Sequence, residues 1–218
     1  MNVLVFAPHN DDEVLGAGGT IRNIVLSEDS VYVCEVTSGP KYKMMQQEAR
    51  RAHEVLGVSG SFFLNLPVSE LAEIKKTELN QKVQEVVQQI KPEVVFTPFI
   101  GDMHFDHRMV TEAVLVAARP INGCSVKRIY MYETLSETGW NIPYGNNNFA
   151  PNVWMDISGT IDDKIKAMAC YQSQIKESPH PRSIEGIRSL AKYRGSTIGV
   201  EYAESFMLVR EILSGGLK

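Results

Sequence analysis

Along the chain, short runs of Val, Ile, Leu and Phe alternate with longer stretches whose apolar residues recur every three or four positions. A continuous apolar run reads as a parallel strand buried on both faces, and the longer spacing reads as the buried stripe of a helix. The runs predict strands over Asn2–Ala7, Val31–Thr37, Ser61–Leu66, Glu93–Pro98 and Lys127–Glu133. Between them, Lys75–Lys91 repeats Leu79, Val83, Val86, Val87 and Ile90 at helical spacing until Pro92 stops it. Lys43–Leu56 offers Ala49, Ala52, Val55 and Leu56 as a second stripe, with Gly57 as its stop. A third helix is expected after His107. Gly139–Asn152, rich in Asn, Gly and Pro, reads as a long loop of the kind that borders active sites. Helix is expected again over Thr160–Glu177 and, after a break at Ser178–Pro181, over Ile184–Lys192, while Glu201–Ile212 fits either a helix or an edge strand. This alternation predicts an α/β fold, a Rossmann-like, mostly parallel sheet with helices on both faces, as a single domain over residues 1–218.

Composition narrows the class. The 218 residues are 44% hydrophobic and 22% charged, which suits one globular core and removes disorder, collagen-like repeats and coiled-coil rods. A formal net charge of −4 without a Lys/Arg stripe argues against nucleic acid as a partner. No apolar run approaches the roughly 18 residues a bilayer span needs, and Asp11, Asp12 and Glu13 interrupt any signal-like segment. Cys34, Cys124 and Cys170 are odd in number and widely spaced, so they announce neither a disulfide framework nor a thiolate zinc site. The expected location is a reducing cytoplasm.

Candidate chemistry sits where strands should end. Directly after the first strand comes Pro8-His-Asn-Asp-Asp-Glu13, at the sheet edge where ligands bind in parallel α/β folds. His9 and Asp12, three positions apart on a short turn, can converge on one cation. A bound divalent ion is the simplest compensation for Asp11, Asp12 and Glu13 side by side, although an acidic helix cap with a bystander histidine would look the same in isolation. After the fourth strand follows Asp102-Met-His-Phe-Asp-His107. In a doubly wound sheet the first and fourth strands are neighbours across the switch point, so both motifs face one crevice.

His9, Asp12 and His107 then supply two nitrogens and one oxygen and leave a fourth tetrahedral position open, the pattern of a catalytic zinc. Fe(II) suits the same donor set. Asp11 beside the ion reads as general base for an attacking water. His104 is a spare imidazole for stabilising an oxyanion or protonating a leaving nitrogen, with Asp106 or Asp102 fixing its tautomer.

Ala7-Pro-His-Asn-Asp-Asp-Glu13 together with His104-Phe-Asp-His107 resembles the PIG-L, or LmbE-like, family of N-acetylglucosaminyl deacetylases. The likeness extends to the Glu48–Gly57 segment and to Gly199-Val-Glu-Tyr-Ala-Glu-Ser-Phe206. It implies a Rossmann-like sheet, zinc, and removal of acetyl groups from N-acetylglucosamine conjugates, with His9, Asp12 and His107 as metal ligands, Asp11 as base and His104 as oxyanion or acid partner. It also implies a homo-trimer or homo-hexamer. Two positions depart from the family pattern: Asn10 stands where Pro is common, and Met45 where many relatives carry a sugar-binding Arg. Lys41, Lys43 and Arg194 read as solvated surface charge.

The remaining conspicuous residues have plainer readings. Gly16, Gly18 and Gly19 lack the full dinucleotide-loop spacing and follow two aspartates, so they read as close helix-to-sheet packing rather than a phosphate cradle. A nucleotide- or sugar-binding module without hydrolase chemistry is the alternative class. His53 and His180 read as structural or solvated, and Cys34 as core.

Overall fold

Consecutive residues of a strand point to opposite faces, and this chain makes both faces apolar. In the computed structural model, which describes residues 1–213, the strands are β1 (Asn2–Ala7), β2 (Ser30–Ser38), β3 (Gly60–Pro67), β4 (Val94–Pro98), β5 (Arg128–Tyr132), β6 (Val153–Asp156) and β7 (Ala203–Glu211). They form one seven-stranded sheet in the order β3-β2-β1-β4-β5-β7-β6. β1 to β5 are mutually parallel, and β7 runs antiparallel to both β5 and β6.

Helices α1 (Asp12–Leu26), α2 (Tyr42–Leu56), α3 (Lys76–Ile90), α4 (Phe105–Ala117), α5 (Ile161–Cys170) and α6 (Ile184–Ser196) cover the two faces. Val3, Val5, Val31, Val33 and Phe96 meet α1, α2, α5 and α6 on one side. Leu4, Phe6, Val36, Val95 and Ile129 meet α3 and α4 on the other. The architecture is the Rossmann-like one expected, and the five expected strands form within one residue of their expected bounds.

Four expectations change. Glu201–Ile212 is neither a helix nor an edge strand: β7 lies inside the sheet, and the edge is β6, which follows the Asn-rich loop. The helix expected over Thr160–Glu177 stops at Cys170. Beyond it, Tyr171 is fully buried and donates from its hydroxyl to Glu13, while the backbone N–H and hydroxyl of Ser173 donate to Glu48 at 3.1 and 2.6 Å. Those long-range bonds take the chain out of helical geometry. The third helix begins before His107 rather than after it, at Phe105, because the His104 ring accepts the Asp106 N–H and serves as N-cap. Arg194 is not solvated; it forks onto both oxygens of Glu133 at 2.7 Å each.

The glycines behave as packing residues. Gly16, Gly18 and Gly19 lie inside α1, and a Cβ on Gly16 would overlap the Tyr132 ring. The α1 axis therefore sits closer to β5 than any larger residue permits. A phosphate-cradling loop is not what these residues form, which removes the feature that motivated a nucleotide-binding module.

Candidate active site

The geometry of the sheet creates the site. β1 and β4 are hydrogen-bonded neighbours, but the chain leaving β1 enters α1 on one face and the chain leaving β4 enters α4 on the other. Diverging connections open a crevice at the carboxyl ends of the two strands. His9, Asp11 and Asp12 enter it from one side and His104, Asp106 and His107 from the other.

Three of these side chains converge. The Asp12 Oδ2 atom lies 3.3 Å from His9 Nδ1 and 3.1 Å from His107 Nε2, and the two ring nitrogens are 3.3 Å apart. Donors bound tetrahedrally at about 2.0–2.1 Å from an ion stand about 3.3–3.4 Å from one another, so the triangle has the dimensions of one face of such a shell. Asp12 Oδ1 is buried without a hydrogen-bond partner, and carboxylates at the far nitrogens, Asp106 at His9 Nε2 and Asp102 at His107 Nδ1, leave two bare lone pairs facing each other when both rings are neutral. A divalent cation answers both features, so these residues fit one. A second candidate grouping, His9, His104 and Asp106, shares His9 with the first.

Outer contacts orient the three donors. His107 Nδ1 pairs with Asp102 Oδ2 at 2.8 Å, His9 Nε2 with Asp106 Oδ2 at 3.1 Å, and the His9 backbone N–H donates to Asp12 Oδ2 at 2.9 Å. Asp106 Oδ2 also accepts the Ser69 N–H at 2.7 Å. Carboxylates behind ligating imidazoles fix which nitrogen faces the ion. Burial opposes charge on His107, yet Asp12 and Asp102 raise its pKa to about 10. Burial likewise opposes charge on Asp12, yet His107 and His9 hold it well below the usual carboxylate range.

Of the two residues expected to fix the His104 tautomer, Asp106 does so, through its backbone rather than its carboxylate, and Asp102 does not. Asp102 supports His107, not His104, and the Asp106 carboxylate faces His9 while standing 4.0 Å from His104 Nδ1. What fixes His104 is the Asp106 backbone N–H, donated to His104 Nδ1 at 3.2 Å. An accepting Nδ1 leaves the proton on Nε2. Burial, with the nearby charges of His9 and His107, lowers the His104 pKa to about 4, so its ring is neutral at neutral pH.

Asp11 caps α1 with φ 106°, a conformation few non-glycine residues adopt, and it makes no capping bond. Its side chain instead meets Arg182, whose Nη1 is 3.2 Å from Asp11 Oδ2. Arg182 is itself held by Ser136 Oγ at 2.9 Å and Glu137 Oε1 at 3.2 Å. Burial pushes the Asp11 pKa up to about 8, with Arg182 pulling against it. Sequence reasoning missed Arg182. Between Pro181 and Ser183 in an irregular segment, nothing in its spacing ties it to Asp11.

A cavity of about 220 Å³ adjoins the centre, lined by Ser136, Thr138, Trp140 and Pro181 among others. Ser136 contacts Arg182, and Thr138 donates to Asp102, which pairs with His107, so the cavity wall is joined to the convergent triad through Thr138 and Asp102. A larger groove of about 340 Å³ lies between the carboxyl-terminal ends of α3 and α4, at the opposite edge of the sheet, and holds none of the candidate residues. Proximity to the titratable cluster decides in favour of the smaller space. Met45 is half-buried, and Lys41 and Lys43 are exposed on the surface.

Comparison with known proteins bears on the family and the fold. The profile of the family PIG-L: GlcNAc-PI de-N-acetylase matches residues 4–118. The chain belongs to the PIG-L family. That match spans β1 through α4 and so contains both histidine motifs, while Arg182 and the cavity wall lie beyond it. A diacetylchitobiose deacetylase of Thermococcus kodakarensis is 27% identical over 95% of this chain and 82% of its own. A probable N-acetyl-alpha-D-glucosaminyl L-malate deacetylase 2 of Bacillus anthracis is 25% identical over 79% of this chain and 81% of its own. Among solved structures, a conserved protein from Thermus thermophilus superposes with a TM-score of 0.80 at 28% identity, covering 99% of this chain and 98% of the other.

Proposed function

We propose that this PIG-L chain, acting as one domain, hydrolyses the N-acetyl amide of an N-acetylglucosamine conjugate, and that His9, Asp12 and His107 hold the Zn2+, or alternatively Fe2+, that the reaction requires. The observation that carries the reading is the 3.1–3.3 Å triangle of donors with Asp11 and His104 beside it. A divalent ion bound there supplies a Lewis acid and an acidified water. Asp11 accepts the proton of the attacking water, a task suited to a carboxylate whose buried site keeps its basicity high. Neutral His104 donates from Nε2 to the developing oxyanion; the accepting Nδ1 and the lowered pKa support hydrogen-bond donation over initial acid catalysis. The proton held by Asp11 then serves the departing amine, so water is consumed and acetate and a free amine leave. Asp106 acts through His9 as a positioning residue.

Location and assembly belong to the same proposal. All three cysteines are unpaired, in keeping with a reducing cytoplasm. Trp140, Ile142 and Tyr144 expose apolar surface on the loop that Asn141 ties to Gly101, a rim suited to a neighbouring copy in a homo-trimer or homo-hexamer. No helix among the described residues is long and apolar enough to cross a membrane.

The direct test is acetate release from a panel of N-acetylglucosamine conjugates by chelator-treated protein reloaded with Zn2+ or, anaerobically, with Fe2+. Metal-dependent release is expected from at least one conjugate, and no release from any by metal-loaded protein overturns the reading. A second expectation concerns pH. The Arg182 charge favours ionised Asp11 and so lowers its pKa; Arg182→Ala removes that pull, and the base form of Asp11 then appears only at higher pH. The acid limb of the kcat/KM profile is expected to move upward by about 1 unit or more, and to return toward its original place in Arg182→Lys. An unmoved limb would separate Arg182 from the base.

A further inference from the structure

A second cluster with the makings of a coordination shell lies inside the core, next to the first in sequence but separate from it in its donors. Glu13 of α1, Glu35 of β2 and His53 of α2 are all buried, at 0%, 1% and 3% exposure. His53 Nε2 is 3.3 Å from Glu13 Oε1 and 3.6 Å from Glu35 Oε1, and all three donor atoms lie within 4.8 Å of one another. Those separations are close to the triangle formed by His9, Asp12 and His107. We propose that Glu13, Glu35 and His53 form a second, structural metal site.

Three observations support it independently of spacing. First, Glu13 Oε2 and His53 Nε2 are buried without any hydrogen-bond partner. Unpaired polar atoms in a core cost free energy that a completed hydrogen-bond network would recover. A metal ligated by His53 Nε2, by Glu35 Oε1 and by both oxygens of Glu13 uses both of them. Second, the two carboxylates face the same imidazole, and among the described residues no lysine or arginine comes within ion-pair distance of either. Buried anions need a counter-charge, and a divalent cation makes the group neutral in one step.

Third, each donor has its own outer partner, as metal ligands do. His53 Nδ1 is 2.7 Å from Ser61 Oγ, which orients the ring with Nε2 toward the carboxylates; a serine hydroxyl accepts as readily as it donates, so the contact is compatible with an Nδ1–H tautomer whose Nε2 is bare for a metal. Asn10 donates to Glu35 Oε2, and the Tyr171 hydroxyl donates to Glu13 Oε1 while standing 3.5 Å from Glu35 Oε1. No position in the group is open to solvent, which separates a structural shell from a catalytic one. The ion joins α1, β2 and α2, and through Asn10 it steadies the loop that carries His9, Asp11 and Asp12. Asn10 stands where proline is common in the family, so a tether from the core replaces the stiffness a ring would give.

The test is metal stoichiometry, measured by elemental analysis on chelator-treated full-length protein reloaded with Zn2+ and desalted. Wild type is expected to hold two ions per chain, His53→Gln one, His107→Gln one, and the double variant none. Replacing Zn2+ with Co2+ in His107→Gln is expected to give the visible absorption of one four-coordinate ion. Wild type that holds a single ion, retained in His53→Gln and lost in His107→Gln, overturns the proposal, as does any count unchanged by His53→Gln in protein that retains its circular dichroism. The outcome is separable from the deacetylase reading, since a chain that binds two ions yet releases no acetate fails that reading and leaves this site in place.

Discussion

Asp11→Asn is expected to lower kcat by about 10³-fold, within the 10²–10⁴ that a positioned general base contributes, while metal content stays at the wild-type level. Asparagine is the informative replacement. It keeps the shape of the side chain, tolerates the positive φ of 106° better than alanine does, and lacks only basicity. The amide oxygen still meets the Arg182 guanidinium, so the loop that carries His9 and Asp12 keeps its outer tether. Since Asp11 is outside the triangle of donors, the ion has no reason to leave. The measurement is single-turnover acetate release alongside elemental analysis of the same sample. Turnover within tenfold of wild type at full occupancy would remove Asp11 from the base role; loss of the metal would show that it holds the ion.

How much of this was legible in the sequence follows from which interactions are local. The strands β1 to β5 and the stripes of α2 and α3 are written in nearby residues, because burial on a sheet face imposes the period directly. The meeting of two histidine motifs was legible because strand order in doubly wound sheets places β1 beside β4. What stayed hidden depends on partners far away. Tyr171 ends α5 by reaching Glu13, across 158 positions, and Arg182 reaches Asp11 across 171. No window of sequence contains both members of either pair. His104 as N-cap was missed for another reason: imidazole is not among the usual capping groups, so the first turn of α4 looked like the loop before it. Asp102 was in view, but whether it supports His104 or His107 turns on where a helix begins. Once α4 starts at Phe105, His107 occupies its first turn and its Nδ1 faces the loop carrying Asp102.

The second large effect is expected at His107, the most enclosed of the three donors. His107→Gln removes the imidazole from a position with 0% exposure and leaves His9 and Asp12 as a two-donor remnant. Two donors do not define a tetrahedral face, so the ion at this centre is expected to be lost and acetate release to fall to the uncatalysed background, a loss of at least about 10⁴-fold. The glutamine amide can still donate to Asp102, which limits the cost of leaving a buried carboxylate without its partner. Asp102→Asn provides the graded control. It keeps every donor but exchanges the acceptor behind His107 Nδ1 for a weaker one, and the expected loss of metal affinity is about 10–100-fold, with activity recovered at high added metal. Metal titrations of the two variants separate the roles. If His107→Gln retains both the ion and turnover, the centre is elsewhere; if Asp102→Asn fails as completely as His107→Gln and added metal restores nothing, Asp102 holds the fold of the loop rather than the orientation of the ligand.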